Sequence, residues 1–213
     1  MLEGYVDLQV NGFAGVDFND PQVTTEQIEQ AAVAMQREGV AVALPTVITA
    51  ALADMQQCIR TICEAIASQP TASQLFRGIH VEGPFLSPVP GYIGAHPVEH
   101  ALSCDPTAME QLLDAGGGLV RLVTLAPEVD ADGALTTLCG ERGVRVAAGH
   151  TDASLGQLQR CIDAGLTLFT HLGNGCPRLM DRHDNIILRA LRLSDRLSYT
   201  LIADGFHVPQ TLF

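Results

Sequence analysis

Three apolar segments of the sequence end at side chains that commonly bind metal ions. The segments GIHVEGPF, VRVAAGHT and LTLFTHLGN lead to Glu82, His150 and His171. Their near-continuous apolar character is typical of strands that are buried on both faces of a parallel sheet. In a parallel α/β barrel the carboxyl ends of all strands lie on one face, so residues far apart in the chain meet there. One carboxylate and two neutral imidazoles match the three-ligand plan of a catalytic zinc site.

Each of these residues also has an ordinary structural interpretation. Glu82 could be a solvated charge, His150 could bond a backbone carbonyl, and His171 could be a satisfied core residue. His80 points to the same side of its strand as Glu82, and an H-x-E pair also occurs in zinc nucleobase deaminases. The P-C-x-x-C segment of those deaminases is absent from the sequence. The conjunction of the three residues favours a shared metal site.

A helix, a glycine and a β-branched strand recur in this order along the chain, as in REGVAVALPTV, ERGVRVAAGHT and DAGLTLFTHL. The glycine is suited to end a helix in a left-handed conformation, and Thr24 with Gln27 forms a capping-box pair at the start of one helix. Seven strands are predicted, at residues 6–10, 40–45, 78–82, 120–125, 144–149, 166–171 and 198–203. The Pro- and Gly-rich residues 87–100 are predicted to form a long loop over the strand ends. The pattern predicts an α/β protein, a (β/α)8 TIM-type barrel with about seven of its eight strands present.

The composition argues against several classes of protein. The sequence has 12 Lys and Arg against 24 Asp and Glu, a formal charge of -12, and no basic cluster to neutralise a nucleic-acid backbone. No apolar run is long enough to span a membrane, and no signal-peptide pattern opens the chain. Six cysteines without a CxxC pair indicate reduced core thiols. We therefore expect a cytoplasmic protein of one domain, residues 1–213, that binds neither nucleic acid nor membranes.

Other polar side chains are placed where they could join the site. Asp204 and His207 follow the seventh predicted strand, so an acid and another imidazole reach the same edge. Gln9 and Asn11 alternate along the first strand, where they could bond substrate or water. Neither amide is a strong metal ligand.

Several motifs together resemble one family, the N-acetylglucosamine-6-phosphate deacetylases of the amidohydrolase superfamily. The similarity runs through DLQVNGFAGVDFND, LPTVIT, HVEGPFLSP, GAHP, VTLAPE, AAGHTDAS, THLGNGCP and IADGFHV, almost from end to end. It implies a metal-dependent barrel hydrolase that removes acetate from N-acetylglucosamine 6-phosphate, giving glucosamine 6-phosphate.

The resemblance also implies roles for the site residues. Glu82, His150 and His171 correspond to the ligands of one divalent metal ion, most simply zinc. Gln9 and Asn11 occupy the positions of an HxH pair that binds a second metal in other members of the superfamily, so they are possible vestigial second-metal positions and one ion is expected.

The remaining implied roles concern the substrate. His96, the backbone of Asn174 and Gly175, and His207 correspond to substrate-binding positions, and His207 also to a catalytic position that stabilises the oxyanion. Arg182 corresponds to an arginine that the family can donate across a homodimer to the sugar phosphate.

Two departures from the family pattern keep alternatives open. After THL the family reads like YNAMP and continues to an R-E-P-G segment, whereas this chain reads GNGCPRLMDRHDN, so an N-acyl substrate without phosphate remains an alternative. The family's catalytic aspartate lies in a TDA-like segment of the eighth strand, and the sequence ends at Phe213 before such a segment. The barrel is therefore expected to be incomplete at the C-terminus and to lack the family's small β-sandwich. A non-catalytic metal- or sugar-binding fragment is the other alternative.

Overall fold

Strands and helices alternate along the chain in the computed structural model, which describes residues 4–209 and 211. The strands are β1 (Tyr5–Val10), β2 (Gly12–Phe13), β3 (Val16–Asp17), β4 (Val40–Ile48), β5 (Ile79–Glu82), β6 (Val120–Leu125), β7 (Arg145–Ala148), β8 (Leu168–Phe169) and β9 (Ser198–Tyr199). The helices are α1 (Thr25–Arg37), α2 (Leu52–Ser68), α3 (Pro70–Leu75), α4 (Pro106–Ala115), α5 (Ala134–Glu141), α6 (Leu155–Ala164) and α7 (Ile186–Leu191).

Seven of the strands form one sheet in the order β1-β4-β5-β6-β7-β8-β9, and β2 and β3 form a separate antiparallel hairpin. Strands β1 and β4, β4 and β5, β7 and β8, and β8 and β9 are parallel neighbours. Each of the seven predicted segments overlaps one strand of this sheet, although β1 begins before its predicted segment, at Tyr5, and β4 continues beyond its predicted segment, to Ile48. The prediction of an α/β protein with a seven-stranded parallel sheet is therefore confirmed. The chain is expected from its sequence to end, at Phe213, before the eighth strand of the barrel. Phe213 lies outside the described residues.

The chain divides into two compact units. The first contains the residues up to Glu82 together with Thr107–Leu122. The second contains Gly83–Pro106 and the residues from Val123 onward. The predicted organisation of residues 1–213 as one domain stays a prediction.

In the first unit, helix α1 begins at the predicted capping box. The Thr24 hydroxyl accepts a hydrogen bond from the Gln27 amide, and the Gln27 side chain accepts one from the Thr24 amide. The helix buries an apolar face that includes Ile28 and Met35, as its period predicts. Glu82 is the last residue of β5 in this unit.

In the second unit, short strands are followed by helices with well-formed ends. Helix α6 begins at Ser154, whose side chain accepts a hydrogen bond from the Gln157 amide, and it ends at Gly165, where φ is 121°. A positive φ of this kind is accessible to glycine at little cost, as predicted for this helix end. Strand β7 leads to His150 and strand β8 to His171.

Two predicted strands are too long. Residues 166–171 and 198–203 are predicted as strands, but β8 ends at Phe169 and β9 ends at Tyr199. The φ of His171 is 34°, which lies outside the β region, so the strand does not continue to this residue. The regular pairing of β8 with β9 ends with the Phe169–Tyr199 pair.

The hairpin of β2 and β3 is not predicted from the sequence. Its turn residues Ala14 and Gly15 have φ values of 52° and 84°. Two positive φ values are typical of a type I′ turn, which usually contains Asn-Gly or Asp-Gly. Because alanine is unusual in this conformation, the sequence lacks the common signal. By contrast, residues 87–100 form the predicted loop, with one 3-10 turn at Val98–His100.

Candidate metal centre

The three predicted metal ligands lie together. Glu82, His150 and His171 each offer one ligand atom, and these atoms all lie within 4.8 Å of one another. The three residues are buried, with 2%, 8% and 5% of their surface exposed. Donor atoms that bind one ion at about 2 Å lie roughly 3–4 Å apart, which is close to this spacing. The group can therefore hold a metal ion, and two imidazoles with one carboxylate are usual ligands of divalent first-row metals.

The two histidines share an uncommon backbone conformation. The φ values of His150 and His171 are 49° and 34°, in the left-handed region that residues other than glycine seldom occupy. The His150 carbonyl accepts a hydrogen bond from the Ser87 amide at 3.0 Å. The His171 amide donates to the Thr200 hydroxyl at 2.8 Å, and the His171 carbonyl accepts from the Asn174 amide at 2.8 Å. Such conformations cost on the order of 1–3 kcal/mol and persist where surrounding contacts impose them.

The hydrogen bond of the His150 ring fixes which nitrogen can bind a metal. Nδ1 of His150 lies 2.8 Å from the carbonyl oxygen of Tyr92. Because a carbonyl only accepts, Nδ1 must carry the proton, and the neutral ring keeps its lone pair on Nε2. The sequence left open whether His150 bonds a backbone carbonyl or binds a metal. The ring does bond a carbonyl, and this is the arrangement that typically orients a metal-bound histidine.

The ring of His96 packs against the ring of His150. The ring centroids are 4.4 Å apart and the rings are inclined at 72°. His150 and His171 form a similar edge-to-face pair, with centroids 4.9 Å apart and an angle of 84°. His96 is itself buried. The predicted substrate-binding histidine of GAHP is therefore a direct neighbour of one of the metal-capable residues.

Two glycines allow the backbone to approach these rings. A Cβ atom at Gly175 would lie 3.0 Å from Nδ1 of His150 and 3.1 Å from Cε1 of His171. A Cβ atom at Gly94 would lie 2.9 Å from Cε1 of His150. The φ values of Gly94 and Gly175 are 62° and 61°, which also favour glycine. Gly175 is one of the predicted substrate-binding positions, and a Cβ atom there would require the histidine rings to give by a few tenths of an ångström.

The carboxylate of Glu82 is held by Gln9. Nε2 of Gln9 donates a hydrogen bond to Oε2 of Glu82 at 2.7 Å. Asn11, the other predicted vestigial position, is exposed, and its carbonyl accepts a hydrogen bond from the Asn19 side chain at 3.3 Å. Gln9 therefore orients the acidic residue of the group, while the assignment of both residues as former metal positions stays a prediction.

His80, the first residue of the H-x-E pair, has a structural environment. It is fully buried, and its Nδ1 lies 3.0 Å from the Leu8 carbonyl oxygen and 3.5 Å from the Thr46 hydroxyl. Among the described residues, the metal-capable group consists of Glu82, His150 and His171, without His80. The pair thus does not form the metal-binding arrangement of a nucleobase deaminase.

The structure places two other predicted residues on exposed segments. Arg182 is exposed in the irregular segment before α7. His207 is exposed beyond β9, and its Nδ1 lies 2.7 Å from Oδ2 of Asp204. Hydrogen bonds from the His207 amide and ring, and then from the Phe206 amide, lower the pKa of Asp204 to about 2. The roles predicted for Arg182 and His207 toward the substrate stay predictions.

A hydrogen-bonded network beside His150 was not predicted. The Glu128 carboxylate accepts hydrogen bonds from the Thr151 hydroxyl and from the Asp152 amide, the latter at 2.8 Å. Nη1 of Arg189 lies 3.0 Å from Oδ1 of Asp152. Burial, and then a hydrogen bond to Asp152, raises the pKa of Tyr92 to about 12. Glu128 and Asp152 belong to the motifs VTLAPE and AAGHTDAS, but no local pattern indicates that Tyr92 and Arg189 join them.

The sheet and the ligand group together define an α/β protein with a metal-capable group at the ends of its strands. No family model matches the chain. The N-acetylglucosamine-6-phosphate deacetylase of Bos taurus is 33% identical over 219 residues, which cover 97% of this chain and 51% of that protein. The N-acetylgalactosamine-6-phosphate deacetylase of Escherichia coli O157:H7 is 32% identical over 211 residues, covering 98% of this chain and 54% of that protein.

Solved structures agree with these relatives. The N-acetyl-D-glucosamine-6-phosphate deacetylase of Mycobacterium smegmatis, solved in complex with N-acetyl-D-glucosamine-6-phosphate, superimposes with a TM-score of 0.86 at 32% identity, over 99% of this chain and 53% of that chain. The N-acetylglucosamine-6-phosphate deacetylase of Thermotoga maritima superimposes with a TM-score of 0.81 at 25% identity, over 97% of this chain and 53% of that chain. The resemblance predicted from the motifs is therefore confirmed. The chain spans about half the length of the curated relatives it matches.

Within residues 4–209 and 211, none of the helices combines the length and the apolar character that crossing a bilayer requires.

Proposed function

We propose that this chain acts in the metal-dependent removal of acetate from an N-acetyl amino-sugar phosphate, with N-acetylglucosamine 6-phosphate as substrate and glucosamine 6-phosphate as product. The observation that carries the proposal is the buried group of Glu82, His150 and His171, whose ligand atoms lie within 4.8 Å of one another. The similarity to curated hexosamine phosphate deacetylases supports the same reaction.

In this proposal Glu82, His150 and His171 hold one divalent ion, which supplies a water of lowered pKa and polarises the acetamide carbonyl. The hydrogen bond from Nδ1 of His150 to Tyr92 leaves Nε2 for the ion. The 2.7 Å hydrogen bond from Gln9 orients the Glu82 carboxylate. Zinc is the proposed ion because neutral imidazole and carboxylate are its usual ligands at catalytic sites.

The neighbouring residues are proposed to bind the sugar. His96 packs on the ring of His150 and so borders the reacting group. The backbone of Asn174 and Gly175 approaches the two imidazoles because residue 175 has no side chain. His207 is proposed to contact the substrate and to stabilise the oxyanion, and its exposed ring is accessible to a ligand.

We propose a TIM-type (β/α)8 barrel as the architecture to which the seven strands belong. The support is their order, since the strands from β4 to β9 are neighbours in the same sequence as in the chain, with at least one helix in each connection. A domain over residues 1–213 that carries the metal ligands follows from this proposal.

The location and assembly of the protein are further parts of the proposal. All six cysteines are free, which is common in a reducing compartment such as the cytoplasm. Arg182 is exposed, so it is accessible to a second copy of the chain and to the sugar phosphate in a homodimer. A molar mass measured by light scattering, for the wild type and for Arg182→Ala, tests the dimer.

The central experiment measures zinc content and acetate release on the same preparation. With N-acetylglucosamine 6-phosphate we expect bound zinc and turnover, and both should be lost in Glu82→Gln. The variant Glu110→Gln, which changes an exposed glutamate of α4, is the matched control. Bound zinc without acetate release would contradict deacetylation and favour a non-catalytic metal- or sugar-binding role. Absence of zinc would contradict the metal site itself.

A substrate panel tests the sugar and its phosphate. Because curated relatives include enzymes named for glucosamine and for galactosamine phosphates, both N-acetyl sugars should be compared, each with and without phosphate. We expect turnover of the phosphorylated glucosamine derivative to be the fastest. Equal rates for the unphosphorylated sugar would contradict a role of Arg182 in phosphate recognition.

A further inference from the structure

Strand β1 loses its regular pairing with β4 at the residues around Gln9. Asp7 pairs with Ala43, but the next pair joins Val10 to Pro45, so β1 uses one residue more than β4 over this stretch. An extra residue of this kind is a β-bulge, which redirects the side chains of its strand and is common beside functional sites. Pro45 favours the break, because a proline has no amide hydrogen for a ladder bond. The bulge therefore lies between Asp7 and Val10, where Gln9 is.

Two buried side chains bind the backbone on either side of Gln9. The Thr46 hydroxyl accepts a hydrogen bond from the Val10 amide at 3.1 Å. Nδ1 of His80 lies 3.0 Å from the Leu8 carbonyl oxygen, and because a carbonyl only accepts, the ring donates this bond. Thr46 and His80 are both fully buried, so water does not compete for these bonds. The bulge of β1 is thus held to β4 and β5 by side chains.

The hydroxyl of Thr46 has a fixed direction. It donates to the Leu44 carbonyl, two residues earlier in β4, at 3.1 Å, and so keeps its lone pairs for the Val10 amide. The Thr46 carbonyl accepts a hydrogen bond from the Asn19 side chain at 3.1 Å. Both the side chain and the backbone of Thr46 are therefore fixed by contacts within the first compact unit.

The bulge determines where the Gln9 side chain lies. Nε2 of Gln9 donates to Oε2 of Glu82 at 2.7 Å, a short distance that fits a bond to a charged acceptor. The Gln9 amide donates to Oδ1 of Asp7 at 3.0 Å, which fixes the backbone of the bulge at this residue as well. A shift of one residue along a strand turns each side chain to the opposite face. Loss of the bulge would therefore remove the Gln9 side chain from Glu82.

We propose that Thr46 is a positioning residue for the metal centre, whose hydroxyl maintains the bulge of β1 so that the Gln9 amide meets the Glu82 carboxylate. His80 has the same role from the other side of Gln9. The inference rests on the proposed function in taking Glu82 as a metal ligand. Groups that orient a metal ligand typically contribute about 10- to 100-fold to metal affinity. Because Thr46 acts through Gln9, its removal should have no effect where the Gln9 amide is absent.

The first test removes the Thr46 hydroxyl without changing the size of the side chain. Thr46→Val keeps the branched shape and loses the hydrogen-bonding oxygen, whereas Thr46→Ser keeps the hydroxyl and loses a methyl group. In calorimetric titration with zinc, we expect affinity to fall about tenfold in Thr46→Val and to stay near the wild-type value in Thr46→Ser. An equal loss in both variants, or no loss in folded Thr46→Val, would overturn the proposal.

A double variant tests whether Thr46 acts through Gln9. Gln9→Leu removes the amide that bonds Glu82 and is expected to lower zinc affinity about tenfold. If the Thr46 hydroxyl serves to place this amide, adding Thr46→Val to Gln9→Leu should cause no further loss. Two independent changes of this size would together lower affinity about 100-fold. Losses that multiply in this way would overturn the path through Gln9.

The side-chain amide of Gln9 supplies a signal that does not require metal binding. Nitrogen-15 NMR of the full chain, recorded with zinc and after its removal by a chelator, reports this amide, and the spectrum of Gln9→Leu assigns it. Thr46→Val should move the Gln9 signal toward those of exposed glutamine amides, and Thr46→Ser should not. The matched control is Thr61→Val, which removes a buried hydroxyl of α2 that donates to the Gln57 carbonyl at 3.1 Å. This control should change neither the Gln9 signal nor zinc affinity.

The outcomes separate this inference from the proposed function. A wild type that binds no zinc would refute the metal site, while the Gln9 signal would still decide whether Thr46 places the Gln9 amide. An unchanged Gln9 signal in folded Thr46→Val would overturn the positioning role even if the wild type binds zinc tightly. Thermal unfolding shows which variants are folded, and should Thr46→Val unfold, Thr46→Ala is compared with Thr46→Ser, from which it differs by the hydroxyl alone. A wild-type Gln9 signal at the position of exposed glutamine amides would overturn the proposal without any variant.

Discussion

Two segments of the molecule that follow a strand each contain an aspartate and a histidine, and they are held in different ways. After β7, the ring of His150 is buried and bonds the carbonyl of Tyr92, a residue 58 positions away in the sequence. After β9, the ring of His207 is half exposed and bonds Asp204, a residue three positions away. The first segment is fixed by long-range contacts, and the second by local ones.

This difference matches the two kinds of role that the residues are proposed to have. A metal ligand must be held close to its productive geometry before the ion binds, because each misplaced donor weakens coordination. A residue that contacts a substrate can take up its position when the substrate arrives. We therefore expect changes near His150 to alter metal binding and changes near His207 to leave it unaltered.

The largest expected effect separates the two histidines directly. His150→Ala removes a donor from the group of three, so zinc affinity should fall by more than about 100-fold, beyond the range typical of supporting residues. His207→Ala should leave zinc affinity unchanged, since its ring bonds Asp204 rather than the group. Equilibrium dialysis against a zinc buffer measures both. A similar loss in the two variants would abolish the distinction between the segments.

A second prediction concerns the close approach of the backbone to the rings. Gly175→Ala introduces a Cβ atom 3.0 Å from His150 and 3.1 Å from His171, at a φ of 61°. Gly173→Ala is the matched control, because its φ is 92° and its Cβ atom would meet nothing within 4 Å. Both changes carry the backbone cost of a positive φ, about 1–2 kcal/mol.

Only the change at Gly175 should displace the imidazoles. We expect both variants to lose comparable stability in chemical denaturation, while Gly175→Ala alone weakens zinc binding, by about tenfold or more by analogy with supporting residues. Equal zinc affinities in the two variants would show that the rings tolerate a side chain at residue 175.

The ligand group could be predicted from the sequence, and most of its support could not. Glu82, His150 and His171 follow apolar strands, which is a local pattern, and parallel strands bring their ends to one edge. The capping box of Thr24 is equally local. The bond between His150 and Tyr92 joins distant segments through a backbone carbonyl, so it leaves no mark on residue type.

The limits of the strand prediction have a related cause. An apolar run predicts that a strand is present, but its end depends on the backbone angles of single residues. His171 and Ala14 adopt positive φ values although neither is a glycine, and these angles end β8 and form the β2–β3 turn. Arg189 lies in a helix whose sequence gives no indication that the side chain reaches Asp152.

A third prediction tests how firmly Glu82 is held. Gln9→Leu keeps the size of the side chain but removes the donor of the 2.7 Å hydrogen bond to Oε2. We expect zinc affinity to fall by about tenfold, the lower end of the range for residues that orient a metal ligand. The control Gln56→Leu removes a surface bond to Gln111 at 3.5 Å and should have no effect. Calorimetric titration with zinc compares them, and unchanged affinity would show that Glu82 needs no partner at Gln9.

The smallest effect is expected in the segment after β9, and it depends on pH. The pKa of Asp204 is lowered to about 2 from the ordinary 3.8, mainly by the bond from the His207 amide. Because the folded-state pKa is the lower one, the contribution of this carboxylate to local order is fully present above 3.8 and is lost as the pH falls toward about 2.

An NMR titration of the Asp204 carboxyl carbon, with the His207 amide followed in parallel, tests this expectation. The amide signal should move together with the carboxyl signal near pH 2, and Asp204→Asn should remove that step from both. A carboxyl that titrates at the ordinary value would mean that these hydrogen bonds are not maintained in solution. The segment after β9 would then lack the local hydrogen bonds to Asp204, whereas His150 would keep its hydrogen bond to the distant Tyr92 carbonyl. The difference between the two segments would therefore be larger.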